Sequence, residues 1–316
     1  MRRLALVLAL AMLVAPASRA ADKLVAGKAS PTAFAMLPLV VGVEEGIYAK
    51  RGLDVEIIDF GGGAKLHQAI AAGSVDIGVG SGAELAMVAK GSPELAICNA
   101  AGPPLFIGIT VPADSPAHRA EDLKGNKIGV SSPNSMTYWM GLELARHYGW
   151  GDDGITLVTL GGDTAAILAG FRTHIIDADI GGTSLAFQLE EKHEGRLLIP
   201  VSDYLGNMSS DTVFASKKLI ASNPDAVRRF LAGWIDAVKF MRANKDETVR
   251  VAQKMTGFDT KVQAREYDQS IPMFIEDCRF DAESLTTLKR SFKDLKLLDS
   301  EPDMKSLYTE EFVPKP

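Results

Sequence analysis

One stretch of this chain returns about a hundred residues later, and that recurrence limits the fold more than any other feature. Val75-Asp76-Ile77-Gly78-Val79-Gly80-Ser81-Gly82 is an apolar strand running into a glycine-serine turn. A helical pattern over 65–72 leads into it and another over 83–89 leads away. Ile176-Asp177-Ala178-Asp179-Ile180-Gly181-Gly182-Thr183 repeats it, between helical patterns over 165–171 and 184–191. Asp76 falls on Asp177 at an offset of 101, and Leu66 and Ile70 fall on Ile167 and Phe171 at the same offset. Upstream, Ser30-Pro31 matches Ser132-Pro133 and Gly61-Gly62 matches Gly161-Gly162, at offsets of 102 and 100. Two copies of one strand-turn-helix unit imply two similar α/β lobes. A cleft between two such lobes is a natural place to hold a small molecule.

The order of elements agrees. A strand over 23–26, a helix reaching Tyr48, a strand over 53–60 and a helix opened by Gly61-Gly62-Gly63 alternate as βαβ units of a largely parallel sheet. Pro103-Pro104 introduces a strand over 105–111 that leaves the first lobe, and residues 127–163 then repeat the first lobe's order. The chain returns near 196–204, and 212–216 rejoins the first sheet. The expected division is 21–110 with 205–316 for the first lobe and 111–204 for the second, with two crossings that can act as a hinge. Beyond Pro224 the tail reads as helical. Asn223 is a candidate N-cap with Pro224 at the first helical position. Val227, Leu231, Trp234, Val238 and Met241 form one stripe at helical spacing, which makes Trp234 a core residue. Later helices over 246–255, 261–269 and 281–294 are expected to pack on the first lobe and to carry stability rather than chemistry.

Residues 1–20 read as a cleaved export signal: Arg2-Arg3, an apolar run from Leu4 to Val14, and Ser18-Arg19-Ala20 before the cut. The run is too short to span a bilayer, which takes about 18 or more apolar residues. Without Arg2, Arg3 and Arg19, 34 − 3 = 31 basic residues face 40 acidic ones, a net charge of −9. With no basic stripe interleaved with aromatics, nucleic acid is not the expected partner. These features point to a soluble periplasmic monomer. Cys98 and Cys278 are the only cysteines. Export permits a disulfide, but spacing cannot establish one, and two buried free thiols are expected.

In open parallel sheets ligands bind outside the carboxyl ends of the strands. In the first lobe those places hold Ser30, Thr32 and Phe34, then Gly62 and Gly63, then Ser81 and Gly82; in the second they hold Ser132, Asn134, Ser135 and Thr137, then Thr183 and Ser184. Glycine admits close backbone approach, helix N-termini present free N–H groups, and hydroxyls add donors without charge. Tyr138 and Trp139 open the second lobe's helix, where one could stack on a planar ligand or both could pack against the sheet. Lys28 and Lys65 read as solvated lysines, and no Arg lies in these turns, which weakens the case for bidentate clamping of an anion. Asp76 and Asp177 start equivalent strands away from the cleft and read as structural. The five histidines lack metal-ligand spacing, and no catalytic constellation or cofactor motif is assembled.

Glu45-Gly46-Ile47-Tyr48-Ala49-Lys50-Arg51-Gly52-Leu53-Asp54-Val55-Glu56, the glycine-rich turn, and Ala72-Gly73-Ser74-Val75-Asp76-Ile77-Gly78 resemble the periplasmic substrate-binding proteins of nitrate, sulfonate and taurine ABC importers, a group similar to the NMT1/THI5-like pyrimidine-synthesis proteins. Val213-Phe214-Ala215-Ser216 with Asn223-Pro224-Asp225-Ala226-Val227 resembles the same family's return segment. The resemblance implies a two-lobed type II periplasmic-binding-protein fold with no enzymatic activity and no cofactor. It also implies capture of a small anion or planar molecule and delivery to a permease with its ATPase. The alternatives are a sensory binding protein that docks to a receptor and a pyrimidine-synthesis enzyme, whose Cys-rich segment is absent here.

Overall fold

The computed structural model describes residues 20–133, 135–151, 153–161 and 163–315. Residues 1–19, which hold most of the expected export signal, and the candidate site residue Asn134 lie outside the described residues. The chain opens with β1 (Asp22–Lys28), α1 (Leu37–Glu44), α2 (Ile47–Lys50), β2 (Leu53–Asp59), α3 (Gly63–Ala71), β3 (Ile77–Ser81), α4 (Leu85–Ala89) and β4 (Glu94–Ala101). Next come β5 (Ile107–Pro112), β6 (Lys127–Val130), α5 (Met136–His147), β7 (Thr156–Thr159), α6 (Thr164–Arg172), β8 (Ala178–Gly182), α7 (Thr183–Glu191) and β9 (Gly195–Pro200). The last part is β10 (Asp211–Ser216) followed by α8 (Lys217–Ser222), α9 (Pro224–Ala243), α10 (Lys245–Thr256), α11 (Thr260–Ser270) and α12 (Ala282–Asp294).

Two five-stranded sheets result, ordered β2-β1-β3-β10-β4 and β7-β6-β8-β5-β9. Four strands of each run in the same direction. The remaining one, β10 in the first sheet and β5 in the second, runs antiparallel between its neighbours. The sequence repeat thus appears as equivalent positions: β1 with β6, β2 with β7, β3 with β8. Strand β2 shows the alternation of an edge strand, with Leu53 and Val55 buried and Asp54 and Glu56 exposed. Asp76 and Asp177 act as matched clamps. Asp76 Oδ2 accepts from the Val25 N–H at 3.0 Å, and Asp177 Oδ2 accepts from the Lys127 N–H at 2.8 Å.

The first crossing between sheets spans 102–106, because β5 already begins at Ile107, ahead of the expected position after residue 110. On α9, Asn223 Oδ1 accepts from the Ala226 N–H, Pro224 stands at the first position, and Trp234 is fully buried.

Two expectations are corrected. Cys98 on β4 is disulfide-bonded to Cys278, 180 residues on, and neither is a free thiol. The Asn99 N–H donates to the Cys278 carbonyl at 3.0 Å, so the tail lies along β4, a proximity that topology sets and spacing does not reveal. Nor do the later helices pack on the first lobe alone. Helix α12 places Leu288 and Phe292 in one apolar cluster with Leu85 of the first lobe and Trp139 of the second. Helix α11 lies against α7. The tail straddles both lobes.

Candidate functional site

A cavity of about 260 Å³ lies where the carboxyl ends of the two sheets face each other. From the first lobe, the loop after β1 contributes Ser30, Thr32, Ala33 and Phe34. The second lobe contributes Ser131 and Thr137 around the start of α5, Thr164 and Ile167 on α6, and Ser184 and Leu185 on α7. Its β8 forms a wall with Asp179, Ile180, Gly181 and Gly182. Phe106 and Ile107 come from the crossing, and Phe258 and Glu266 from the tail. Each helix start is positioned by the strand before it, and one pair of equivalent turns, after β1 and after β6, meets in this space.

Two carboxyl groups dominate its electrostatics, and none of the lining residues is Lys or Arg. Asp179 is 3% exposed, and its Oδ2 has no hydrogen-bond partner. Burial pushes its pKa up to about 7. Glu266 is buried on α11 and faces the N-terminus of α7. Its Oε2 accepts from Thr183 Oγ1 at 2.6 Å and Ser184 Oγ at 3.0 Å, and its Oε1 accepts from Ser270 Oγ at 2.7 Å. Burial raises the Glu266 pKa, and the hydrogen bonds from Thr183, Ser270 and Ser184 pull it partly back. Such a space suits a compact molecule with an apolar body and hydrogen-bond donors.

The structure brings together Ser30, Thr32, Phe34, Thr137 and Ser184 at the cavity wall, with Thr183 fully buried behind it and bonded to Glu266. The other sequence candidates are placed elsewhere. The Ser81 N–H and Oγ both donate to Glu84 Oε1 at 3.1 Å, and the Gly82 N–H donates to the Ser210 carbonyl. Gly62 takes a positive φ of 126° to turn the chain into α3, and Gly63 packs against Glu84. Ser135 Oγ caps α5 by accepting from the Tyr138 N–H, and the Ser132 N–H donates to that same oxygen. Tyr138 lines a different hollow, beside Arg146 and Asp294, while Trp139 is fully buried with its Nε1–H donating to Asp294. Lys28 is buried rather than solvated, paired with Asp59 at 3.1 Å and donating to the Pro31 carbonyl.

Sequence reasoning missed both carboxyls. Asp179 carries a signal in hindsight: at the 101-residue offset it falls on Gly78. Glu266 carries none, since it is one acid in a polar helix.

A profile of proteins described as NMT1/THI5 like matches residues 33–248, more than half of the chain. The chain belongs to the NMT1/THI5-like family. A putative binding protein of Brucella abortus is 29% identical over 222 residues, covering 69% of this chain and 67% of that one. A 4-amino-5-hydroxymethyl-2-methylpyrimidine phosphate synthase of Saccharomyces cerevisiae is 24% identical over 301 residues, covering 89% and 84%. In fold, this NMT1/THI5-like chain is similar to the periplasmic aliphatic sulphonate binding protein of Escherichia coli, at a TM-score of 0.76, 19% identity and 92% coverage of each chain. The fold is thus the two-lobed periplasmic-binding-protein architecture. No helix of the NMT1/THI5-like chain among the described residues is long and apolar enough to cross a membrane. Its tail adds the clasp across the lobes: Glu266 bonds Thr183 and Ser184, Lys261 pairs with Glu191, and Arg265 pairs with Glu190.

Proposed function

We propose that this protein is the solute-binding component of an ABC importer, working in the periplasm as a single copy. It would capture a small molecule between its lobes and present it to a permease with its ATPase. The observation that carries the reading is the cavity itself. Its wall joins the turn after β1 of the first lobe to the turns after β6, β7 and β8 of the second, at the strand ends where open α/β sheets bind ligands. A solute seated there touches the Ser30–Phe34 loop on one side and β8 and α7 on the other, so it stabilises the lobes together over the lobes apart. The similarity in fold to a sulphonate-binding protein and in sequence to a putative binding protein supports the same role.

The test is thermal unfolding of natively exported protein, stripped of bound solute, against nitrate, sulfonates, carboxylates, organic bases and heterocycles. A solute at about 100 times its dissociation constant adds about 2.7 kcal/mol. That is a midpoint rise of several degrees at roughly 2 °C per kcal/mol for a chain of this size. Recovery of the solute unchanged from the complex separates binding from turnover. No rise with any class, together with no solute recovered from protein as purified, refutes the binding reading.

A further inference from the structure

Asp179 stands on the central strand of the second sheet, where a carboxyl is hardest to accommodate. It is 3% exposed, its Oδ2 is unpartnered, and it forms part of the cavity wall. Leaving such a group without a donor costs free energy. The internal repeat supplies a control for whether the fold demands it. Asp179 pairs across the ladder with Gly129, and at the equivalent place in the first lobe Gly78 pairs with Gly27. There the apolar side chains of α3 close over the sheet: a Cβ at Gly78 would come within 2.8 Å of Ile70 Cδ1. One lobe therefore builds this position with no side chain at all, and the architecture does not require an acid.

The second lobe makes room for one. A Cβ at Gly129 would lie 2.8 Å from Asp179 Oδ1, and a Cβ at Gly181 would lie 2.6 Å from Oδ2. The carboxyl thus occupies space that two flanking glycines leave free. Glu266, the other acid at the wall, already accepts three hydroxyl donors. The nearby cation Lys28, beneath the Ser30 loop, is engaged by Asp59 and the Pro31 carbonyl. The rest of the wall is hydroxyls and apolar groups such as Phe34, Phe106 and Leu185.

We infer that the solute is a small nitrogen cation, an amine or amidinium on an apolar body, with Asp179 as its counter-ion, and that sulfonates and carboxylates are excluded. The inference rests on the solute-binding reading above and names the class of molecule it applies to. A protonated nitrogen beside Asp179 at the cavity wall supplies the opposite charge that the desolvated carboxyl lacks within the protein. An oxyanion would meet two acids and no free cation.

The experiment compares matched probes on the natively exported protein: benzamidinium and phenethylammonium as cations, benzamide as the neutral isostere, benzoate and benzenesulfonate as anions. At least one cation is expected to bind, measured by calorimetry, and the anions are not. Asp179→Asn is expected to weaken the bound cation by about 30-fold or more, the usual effect of truncating one partner of a buried charge pair. Benzamide affinity should change by less than about threefold, a difference of well under 1 kcal/mol. Asp179→Gly, which installs the residue of the first lobe, checks the result in a variant whose backbone the repeat already tolerates. Tighter binding of an anion, an unchanged cation preference in both variants, or no binding of either cation overturns the inference. The importer reading is judged separately, by the solute released from protein as purified: an acid recovered there would sink the cation inference and leave that reading standing.

Discussion

His67 offers the sharpest quantitative test of the structure. It is buried in the first lobe, with Nδ1 2.8 Å from Glu94 Oε1 and Nε2 2.8 Å from Glu84 Oε2. A Cβ on Gly63 or Gly80 would lie 2.3 or 2.0 Å from the Glu84 carboxylate, so these glycines admit the carboxylate to the site. Burial alone pulls the imidazole down, but hydrogen bonds and charge from Glu84 and Glu94 outweigh it and push the pKa up to about 9. With an unfolded value of 6.5, the shift is about 2.5 units, or about 3 kcal/mol at 1.36 kcal/mol per unit. Because the folded pKa is the higher one, this stabilisation is complete below pH 6.5 and is lost as pH rises through 9. Urea unfolding of the protein should therefore lose about 3 kcal/mol between pH 6 and pH 10 through this residue. His67→Gln, unable to take a proton, should lack that part of the slope. NMR titration of the His67 ring reads the pKa directly. A ring that titrates at or below 6.5 would refute the reasoning, since the two carboxylates would then not be holding a proton on it.

The remaining predictions concern the disulfide and the two repeats. Cys98–Cys278 closes a loop of 180 residues, so loop-closure entropy assigns it about 5 kcal/mol. Reduction, or Cys98→Ala with Cys278→Ala, should lower the thermal midpoint by roughly 10 °C; a fall under about 2 °C would show that the tail is held by other contacts. Asp179 shifts stability with pH in the same direction as His67, over a lower range. Its folded pKa of about 7 lies above the unfolded 3.8, so its contribution is favourable below 3.8 and lost as pH rises through 7. Without solute, Asp179→Asn should gain on the parent by up to about 4 kcal/mol between pH 4 and pH 8, read by urea unfolding; a constant difference would place the carboxyl in water. Gly78→Asp puts the second lobe's acid into the first, where Ile70 and Leu66 fill the space. It should destabilise by about 3 kcal/mol or more through crowding and an unpaired buried carboxyl, with soluble yield and midpoint as readouts.

The repeat was legible because its residues serve the backbone. Asp76 and Asp177 clamp neighbouring strands, and the glycines turn the chain, so their offsets survive as a pattern in the letters. The same fact misdirected the reading of the site. Ser81, Ser135 and Gly82 have the composition of ligand-binding turns, yet their donors and acceptors are spent on Glu84, on the start of α5 and on the return strand. A cap and a ligand contact use identical residues, and local sequence does not show which way a hydroxyl faces. Ser30, Thr32, Phe34, Thr137 and Ser184 do reach the cavity because their turns sit beside the crossing. The disulfide and Glu266 depend on how the tail folds back over the lobes, which follows from packing between segments 82 to 180 residues apart.

The tail also bears on how a solute could act. Across the junction of α11 and α7, the ion pairs Lys261–Glu191 and Arg265–Glu190 are substantially exposed, and such pairs contribute at most about 1 kcal/mol each. The bonds from Thr183 and Ser184 to Glu266 are stronger, because breaking them leaves the buried Oε2 without a donor while Ser270 still serves Oε1. As arranged here, the lobes are held by the chain's own contacts at Glu266 whether or not a solute is present. A solute shifts the arrangement only by what it adds beyond those contacts. Asp179 is where the protein has left something to add: its Oδ2 lacks a partner in this arrangement, while Glu266 already has three. Glu266 therefore sets how readily the lobes meet, and Asp179 sets which molecule makes their meeting favourable.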